Sequence, residues 1–199
     1  MSVSFAESKT KLNLLKAFAG ESQARNRYDY AASCAKKNNL YVIEAIFKFT
    51  ADQEKEHGEI FYNLLKEFTG ENIEIEGTYP IDIYDNPLKL LMAGQHNEYE
   101  EHDNVYKSFA QTAKEEGFDQ IALTFQNIAQ IEKTHGDRFG RFAELLDANK
   151  LFVSDVQTKW MCLNCGFVFE GKEVPEKCPV CSHDKGYFIR LELAPYSLN

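Results

Sequence analysis

Residues 47–61 read FKFTADQEKEHGEIF, and residues 125–139 read FQNIAQIEKTHGDRF. The two align without a gap, 78 residues apart: Phe47, Ala51, Glu54, Lys55, His57, Gly58 and Phe61 meet Phe125, Ala129, Glu132, Lys133, His135, Gly136 and Phe139. This internal repeat predicts an approximate two-fold axis. Outward from it, Ile43, Phe47, Thr50, Glu54, His57, Phe61, Leu64 and Phe68 recur at steps of four and three, as do Ile121, Phe125, Ile128, Glu132, His135, Phe139, Phe142 and Leu146. Such spacing is one continuous helix face. Each face is apolar at both ends and carries Glu-x-x-His in the middle.

The same reading extends to four long helices, over residues 4–37, 41–68, 86–116 and 119–148. Asn38-Asn39 is too short for anything but an antiparallel turn. Residues 69–85, with Gly70, Gly77 and Pro80, suit a long crossover between helix pairs, as in ferritin-like bundles. The first helix aligns Leu14, Ala17, Glu21, Ala24, Tyr28, Ala31 and Ala35; the third aligns Leu91, Gly94, Glu98, Glu101, Val105 and Ser108. The fold class is thus an all-α four-helix ferritin-like bundle over residues 1–147. A linker follows at 147–158, and then a small β/loop metal module at 158–199.

Five glutamates (Glu21, Glu54, Glu98, Glu101, Glu132) and two histidines (His57, His135) face one bundle core. Buried carboxylates repel one another unless neutralised, and two divalent cations are the simplest neutralisation. Glu from two helices and Glu-x-x-His from the other two is the ligand pattern of ferritin-like carboxylate proteins. A single Glu-x-x-His on a helix is ordinarily solvent-facing; two repeated copies on apolar stripes are not. His96, His102, Glu100, Glu56 and Glu59 lie off or beside the stripes and read as surface. Iron or manganese suits a mixed carboxylate–imidazole site, and spacing does not choose between them.

Four of the five cysteines form Cys162-x-x-Cys165 and Cys178-x-x-Cys181, separated by twelve residues. In a reducing compartment this spacing means a four-thiolate metal site rather than disulfides. Zinc and a single iron share it. Trp160, Phe167, Phe169, Tyr187 and Phe188 give the module an aromatic shell, so its metal has a folding role. Cys34 reads as a buried small hydrophobe.

Composition narrows the function classes. Lys+Arg is 22 against Asp+Glu 31, a net charge of −9, with no basic stripe for nucleic acid. No run of about 18 apolar residues exists for a membrane span, and the N-terminal residues lack the pattern of a signal peptide. The expected location is cytoplasmic.

The combination Gly20-Glu21-Ser22-Gln23-Ala24-Arg25-Asn26-Arg27-Tyr28, Gln53-Glu54-Lys55-Glu56-His57, Glu98-x-x-Glu101, Glu132-x-x-His135 and a C-terminal four-cysteine module resembles rubrerythrin over essentially the whole chain. Cys162-Leu-Asn-Cys165-Gly166-Phe167 and Cys178-Pro179-Val180-Cys181 resemble rubredoxin more than a zinc ribbon. The resemblance implies a non-haem di-iron site plus one iron on Cys162, Cys165, Cys178 and Cys181. It implies Glu54 and Glu132 as bridges, Glu21 on one iron, Glu98 and His135 on the other, and Glu101 and His57 exchanging on the first. Tyr28 and Tyr106 resemble tyrosines that hydrogen-bond carboxylates near the site, against plain core packing. Ala93-Gly94-Gln95 offers a rival register that puts Gln95 on a ligand position; the register through Tyr106 puts Glu98 and Glu101 there and is preferred. The implied activity is reduction of hydrogen peroxide to water in oxidative-stress protection, as a homodimer. Electrons would come from NAD(P)H through a partner such as rubredoxin or a reductase. The alternatives are a ferroxidase or iron-storage protein, and a binding module with a zinc prop.

Overall fold

The computed structural model describes residues 3–195. Its bundle consists of α1 (Lys9–Lys37), α2 (Tyr41–Leu64), α3 (Pro87–Glu100), a π-helical turn (Glu101–Val105), α4 (Tyr106–Glu116) and α5 (Asp119–Asp147). Helix α3, the π turn and α4 form one interrupted third helix. Pairing follows connection length: α1 lies along α2, and the interrupted helix along α5.

Local chemistry sets the ends. Ser8 accepts the Lys11 N–H at 3.0 Å and caps α1, so this helix starts at Lys9 rather than residue 4. A separate 3-10 turn, Phe5–Glu7, precedes it. Helix α2 stops at Leu64, and residues 66–68 form another 3-10 turn. Asn86 caps α3 through the Lys89 N–H, with Pro87 in the first turn. Gly117, at φ 89°, ends α4 in the left-handed conformation that glycine adopts without strain. Glu116 reaches back to accept the Lys9 and Thr10 N–H groups, both at 2.9 Å, tying the end of α4 to the positive end of α1.

The π turn is the main departure from the expected periodicity. It inserts an extra residue per turn, so the inward face beyond it is Tyr106, Ala110 and Ala113. Val105 and Ser108, expected on the inward stripe, are exposed.

Two apolar layers result. One holds Leu14, Ala17, Phe61, Tyr106, Phe125 and Ile128; the other holds Ala24, Tyr28, Phe47, Leu91, Phe139 and Phe142. Every inward glutamate of α1, α2 and α5 lies between a residue of one layer and a residue of the other.

The C-terminal module is a three-stranded antiparallel sheet in the order β2–β1–β3, with β1 Val153–Cys162, β2 Val168–Glu173 and β3 Phe188–Arg190. Half of the stretch expected as linker is therefore strand, because Ser154 and Thr158 alternate inward and bond each other at 2.9 Å. Trp160 is fully buried and donates to the Gly171 carbonyl at 2.9 Å. The module sits on the α1–α2 turn. Tyr187 stacks on Tyr41 at 4.0 Å, Ile189 and Ala194 join the apolar layer of Phe47 and Phe139, and Gly186 lies so close to the Asn39 carbonyl that a Cβ there would clash with it.

Candidate metal centres

The bundle cage grows from the repeat. Its two copies place His57 and His135 face to face, with ring centroids 5.5 Å apart and planes 13° from parallel. Glu54 presents Oε2 to His57 Nδ1 at 3.1 Å and Oε1 to His135 Nδ1 at 2.9 Å. Glu132 presents Oε1 to His57 Nδ1 at 3.1 Å and Oε2 to His135 Nδ1 at 3.0 Å. Each central carboxylate thus faces both imidazoles. Glu21 closes the His57 side at 3.8 Å and Glu98 the His135 side at 3.6 Å. All six side chains are buried.

The outer bonds are reciprocal. The Tyr28 hydroxyl on α1 donates to Glu98 on α3, and the Tyr106 hydroxyl on α4 donates to Glu21 on α1. Both tyrosines expected beside the site are there, as carboxylate partners rather than mere packing. The glycine after each histidine faces the helix that carries an outer glutamate. A Cβ on Gly58 would stand 3.4 Å from the Glu21 Cβ, an ordinary contact, whereas one on Gly136 would press 2.6 Å from the Tyr99 ring as well as standing 3.4 Å from the Glu98 Cβ. The repeat displayed both, yet composition alone gave them no role.

Glu101 is the exception among the expected site residues. It lies at the start of the π turn, half-buried, outside both metal-competent groups (Glu21/Glu54/His57/Glu132 and Glu54/Glu98/Glu132/His135), and lines a cavity of about 1070 Å³. Gln95 packs against Gly140 instead of entering the cage, so the register through Glu98 is the one that folds. His102, expected at the surface, is half-buried and hydrogen-bonds the Ala129 carbonyl at 2.7 Å, pinning the π turn to α5. His96, Glu100, Glu56 and Glu59 are exposed as expected, and Cys34 is half-buried. Arg138, one turn past His135, donates to Thr50 Oγ1 at 2.8 Å and Gln53 Oε1 at 3.1 Å. No sequence signal marked it, because its partners lie on another helix.

Crowded carboxylates shape the protonation equilibria. Burial, then the Glu54 charge, pushes Glu98 up to about 8. Burial and the charges of Glu132 and Glu54 hold Glu21 well above the usual carboxylate range. Burial by itself would lower His57, but Glu132 and Glu54 outweigh it and raise it to about 9. At His135 burial is likewise outweighed, by Glu132, Glu54 and Glu98, and the value reaches about 12. For Glu54 burial is overcome by the adjacent imidazoles of His135 and His57, which keep it far below the normal value.

This cage fits a pair of cations. Buried Glu21 Oε2, Glu54 Oε1, Glu98 Oε2, both Glu132 oxygens and both His135 nitrogens have no hydrogen bond of good geometry, and such atoms are costly unless something binds them. Four carboxylates balance two divalent ions, and the donor set of carboxylate oxygen and imidazole nitrogen suits iron.

In the C-terminal module the four sulfurs lie within 4.8 Å of one another, with Cys162–Cys181 at 3.8 Å and Cys165–Cys178 at 3.7 Å. A tetrahedron with metal–sulfur bonds of about 2.3 Å has edges of about 3.8 Å, whereas a disulfide needs about 2.05 Å. The two knuckles are held by Gly166 N–H to Cys162 O and Ser182 N–H to Cys178 O, both 2.8 Å. The His183 N–H lowers Cys181 to about 6, and burial lifts Cys162 to about 12.

Comparison with known families agrees with both sites. The family model described as rubrerythrin matches residues 13–143, and that of the rubrerythrin rubredoxin-like domain matches residues 160–189. The chain belongs to the rubrerythrin family. It is 44% identical to a rubrerythrin of Clostridium perfringens, covering 90% of this chain and 93% of that one. It is 43% identical to a rubrerythrin of Nitratidesulfovibrio vulgaris, covering 92% and 95%. Fully reduced, all-ferrous nigerythrin superposes with a TM-score of 0.62 at 28% identity, over 94% of this chain and 91% of that one. The bacterioferritin of Desulfovibrio desulfuricans, at 22% identity and TM-score 0.63 over 71% and 82%, shares the fold. The buried cage is thus the rubrerythrin di-iron site, and the four-thiolate group is its rubredoxin-type iron site. As a rubrerythrin the protein is an oxidoreductase of the di-iron class. Among the described residues no helix is long and apolar enough to cross a membrane.

Proposed function

We propose that this rubrerythrin reduces hydrogen peroxide to two waters, consuming two protons and two electrons per turnover. The observation that carries this is the pair Glu54 and Glu132, each facing both histidines across one buried cage. Bound iron supplies the electrons and Lewis acidity for cleavage of the O–O bond. Glu54 and Glu132, each facing both histidines, would be shared between the two metals, with Glu21 serving one position and Glu98 and His135 the other. Tyr106 and Tyr28 fix the outer carboxylates, and the apolar layers above and below exclude bulk water. The cavity beside Glu101 is the approach for the small substrate.

With iron bound, Glu21, Glu54, Glu98 and Glu132 would supply four negative charges against two divalent ions, and His57 and Glu101 would be alternative ligands at the first position, Glu101 supplying one more negative charge to offset part of what oxidation adds. Cys162, Cys165, Cys178 and Cys181 would hold an iron able to supply electrons, replenished from NAD(P)H through a rubredoxin or reductase. In a homodimer the four-cysteine module of one subunit would serve the cage of the other, and the protein would work in the cytoplasm against oxidative stress.

The test uses the anaerobic, fully reduced, full-length protein mixed with one equivalent of hydrogen peroxide in a stopped-flow instrument. The expected result is rapid loss of peroxide followed by the colour of the oxidised iron–thiolate centre. Persistent peroxide with that centre still reduced overturns the proposal. Mineral growth beyond two irons per bundle would favour storage.

A further inference from the structure

The cavity beside Glu101 is far larger than hydrogen peroxide requires. Its volume is about 1070 Å³. One water accounts for about 30 Å³ of liquid, and hydrogen peroxide adds only one oxygen to that. Cavities of about 300–1,000 Å³ hold ligands of drug size. Three lining residues belong to the rim of the cage: Glu101, Tyr106, whose hydroxyl holds Glu21, and Gly20, which precedes Glu21.

The π turn builds part of the wall. Val105 and Ser108, which that turn directs out of the core, both line the cavity beside Phe109. The crossover supplies another part through Gly77, Thr78, Tyr79 and Pro80. The Tyr79 hydroxyl donates to the Lys16 carbonyl at 3.2 Å, and a Cβ on Gly77 would stand 2.9 Å from the Tyr79 ring. Asp82 anchors the same segment: it accepts from Arg27 Nη1 on α1 at 3.1 Å and from Asn97 Nδ2 on α3 at 2.8 Å. The wall is thus tied to two helices of the bundle.

Its lining is amphiphilic. Val105, Phe109, Pro80 and the Tyr79 ring offer apolar surface. Asn97 and Asn104 also line it and spend amide N–H groups on Asp82 and Glu100, so their amide carbonyls are the groups left to accept a hydroperoxide O–H. Glu76, Glu100 and Glu101 outnumber Lys16 among the charged lining residues, which disfavours an anionic substrate.

We propose that this cavity admits neutral alkyl or aryl hydroperoxides as substrates beside hydrogen peroxide. The inference rests on the peroxide-reductase reading above. The O–O bond of ROOH breaks, the same two electrons and two protons are consumed as with hydrogen peroxide, and the products are the alcohol ROH and one water. The organic group is held among Val105, Phe109 and Tyr79, and the O–OH end points past Glu101 toward the cage.

The test mixes the anaerobic, reduced, iron-loaded full-length protein with cumene hydroperoxide, and separately with hydrogen peroxide, in a stopped-flow instrument. Cumene hydroperoxide is expected to react within about a hundredfold of the hydrogen peroxide rate, a span that pocket fit alone covers. Each hydroperoxide consumed should yield one 2-phenyl-2-propanol, measured by chromatography. A slower reaction than that, with hydrogen peroxide still reduced, overturns this proposal and leaves the peroxide-reductase reading standing. If neither peroxide reacts, that reading falls and the proposal falls with it. Acetophenone as the main product also overturns it, because that ketone marks one-electron cleavage to an alkoxyl radical.

Ser108→Trp puts an indole into the cavity from an exposed helix position. It is expected to lower the cumene hydroperoxide rate relative to the hydrogen peroxide rate by about tenfold; equal changes in both rates overturn the placement of the organic group. Binding is read separately on the metal-free protein by saturation-transfer NMR with 2-phenyl-2-propanol. Transfer to its methyl groups is expected in the parent and weakened in Ser108→Trp, and no transfer in the parent overturns the proposal.

Discussion

The two metal centres of this chain are opposites in construction. The bundle cage is buried between two apolar layers, its ligands are side chains on four helical segments, and its near-symmetry comes from a repeated sequence. The four-thiolate site lies in a small sheet module with Cys165 exposed, and backbone N–H groups of short turns hold it. In the bundle, packing on either side of the cage exists without the metal, so the scaffold positions the site. In the module the apolar cluster is essentially Trp160, Cys162, Val174, Cys178 and Phe188, two of which are ligands. There the metal is part of the core, and the fold depends on it.

Metal removal gives the largest test of that contrast. Structural metal binding is worth about 10–16 kcal/mol in small four-ligand domains, so chelation unfolds the module and spares the bundle. Trp160 is the single tryptophan and reports only on the module. Its fluorescence is expected to shift red on chelation while helical circular dichroism persists. A blue, buried Trp160 in the chelated protein would break the comparison.

Next in size is Glu54→Ala. Loss of a carboxylate facing both histidines is expected to release at least one iron. It should also lower peroxidase activity by more than the roughly 10–100-fold that follows loss of an outer partner. The bundle should stay folded. Metal analysis with peroxide assays checks this, and two irons with full activity would refute the assignment.

The tyrosines sharpen the internal symmetry of the cage. Tyr28→Phe is expected to weaken the metal beside Glu98 and His135, and Tyr106→Phe the metal beside Glu21 and His57, each by roughly 10–100-fold. Metal titrations that show the same site weakened in both variants would remove the two-fold reading.

Proton linkage separates the centres more gently. Glu98 is raised from 4.5 to about 8, so the metal-free fold binds more protons than the unfolded chain between these values and loses stability as pH rises through that window. Metal needs the carboxylate, so loading the cage releases protons and strengthens from pH 6 to 8. Calorimetry in buffers of different ionisation enthalpy should show that release. In the four-thiolate site Cys181, lowered to about 6, is already a thiolate at pH 7, but Cys162, lifted to about 12, must lose its proton to bind metal, so loading that site releases protons across the whole range rather than over a window near neutrality.

The smallest expected effect concerns the contact between the regions. Gly186→Ala forces a Cβ against the Asn39 backbone and should cost about 1–3 kcal/mol of overpacking, seen as earlier loss of the module in denaturant. An unchanged transition would mean that the module docks without that close approach.

Much of this architecture was legible before any coordinates. The Glu-x-x-His copies, the apolar positions around them and the paired Cys-x-x-Cys knuckles are local patterns, because an i, i+3 pair on a helix and two thiols on one tight turn are fixed by backbone geometry. The third helix is where periodicity fails: a π turn leaves no mark in a period-3.6 pattern, so the stripe points Val105 and Ser108 inward although both are exposed, while Tyr106, placed beside the site by the family resemblance and not by the stripe, faces the cage.

Sequence by itself thus determined the number of helices, the two metal-binding donor sets and the pairing of repeat with repeat. Tertiary structure decided that Glu98 rather than Gln95 enters the cage and that Glu101 stands outside it. It also decided that the Tyr28–Glu98 and Tyr106–Glu21 bonds cross between helices, and that Asp82 latches Arg27 to Asn97. These contacts join residues as much as 85 positions apart. Periodicity describes which face a residue occupies on its own helix, but only the packing of helices against one another fixes what that face meets.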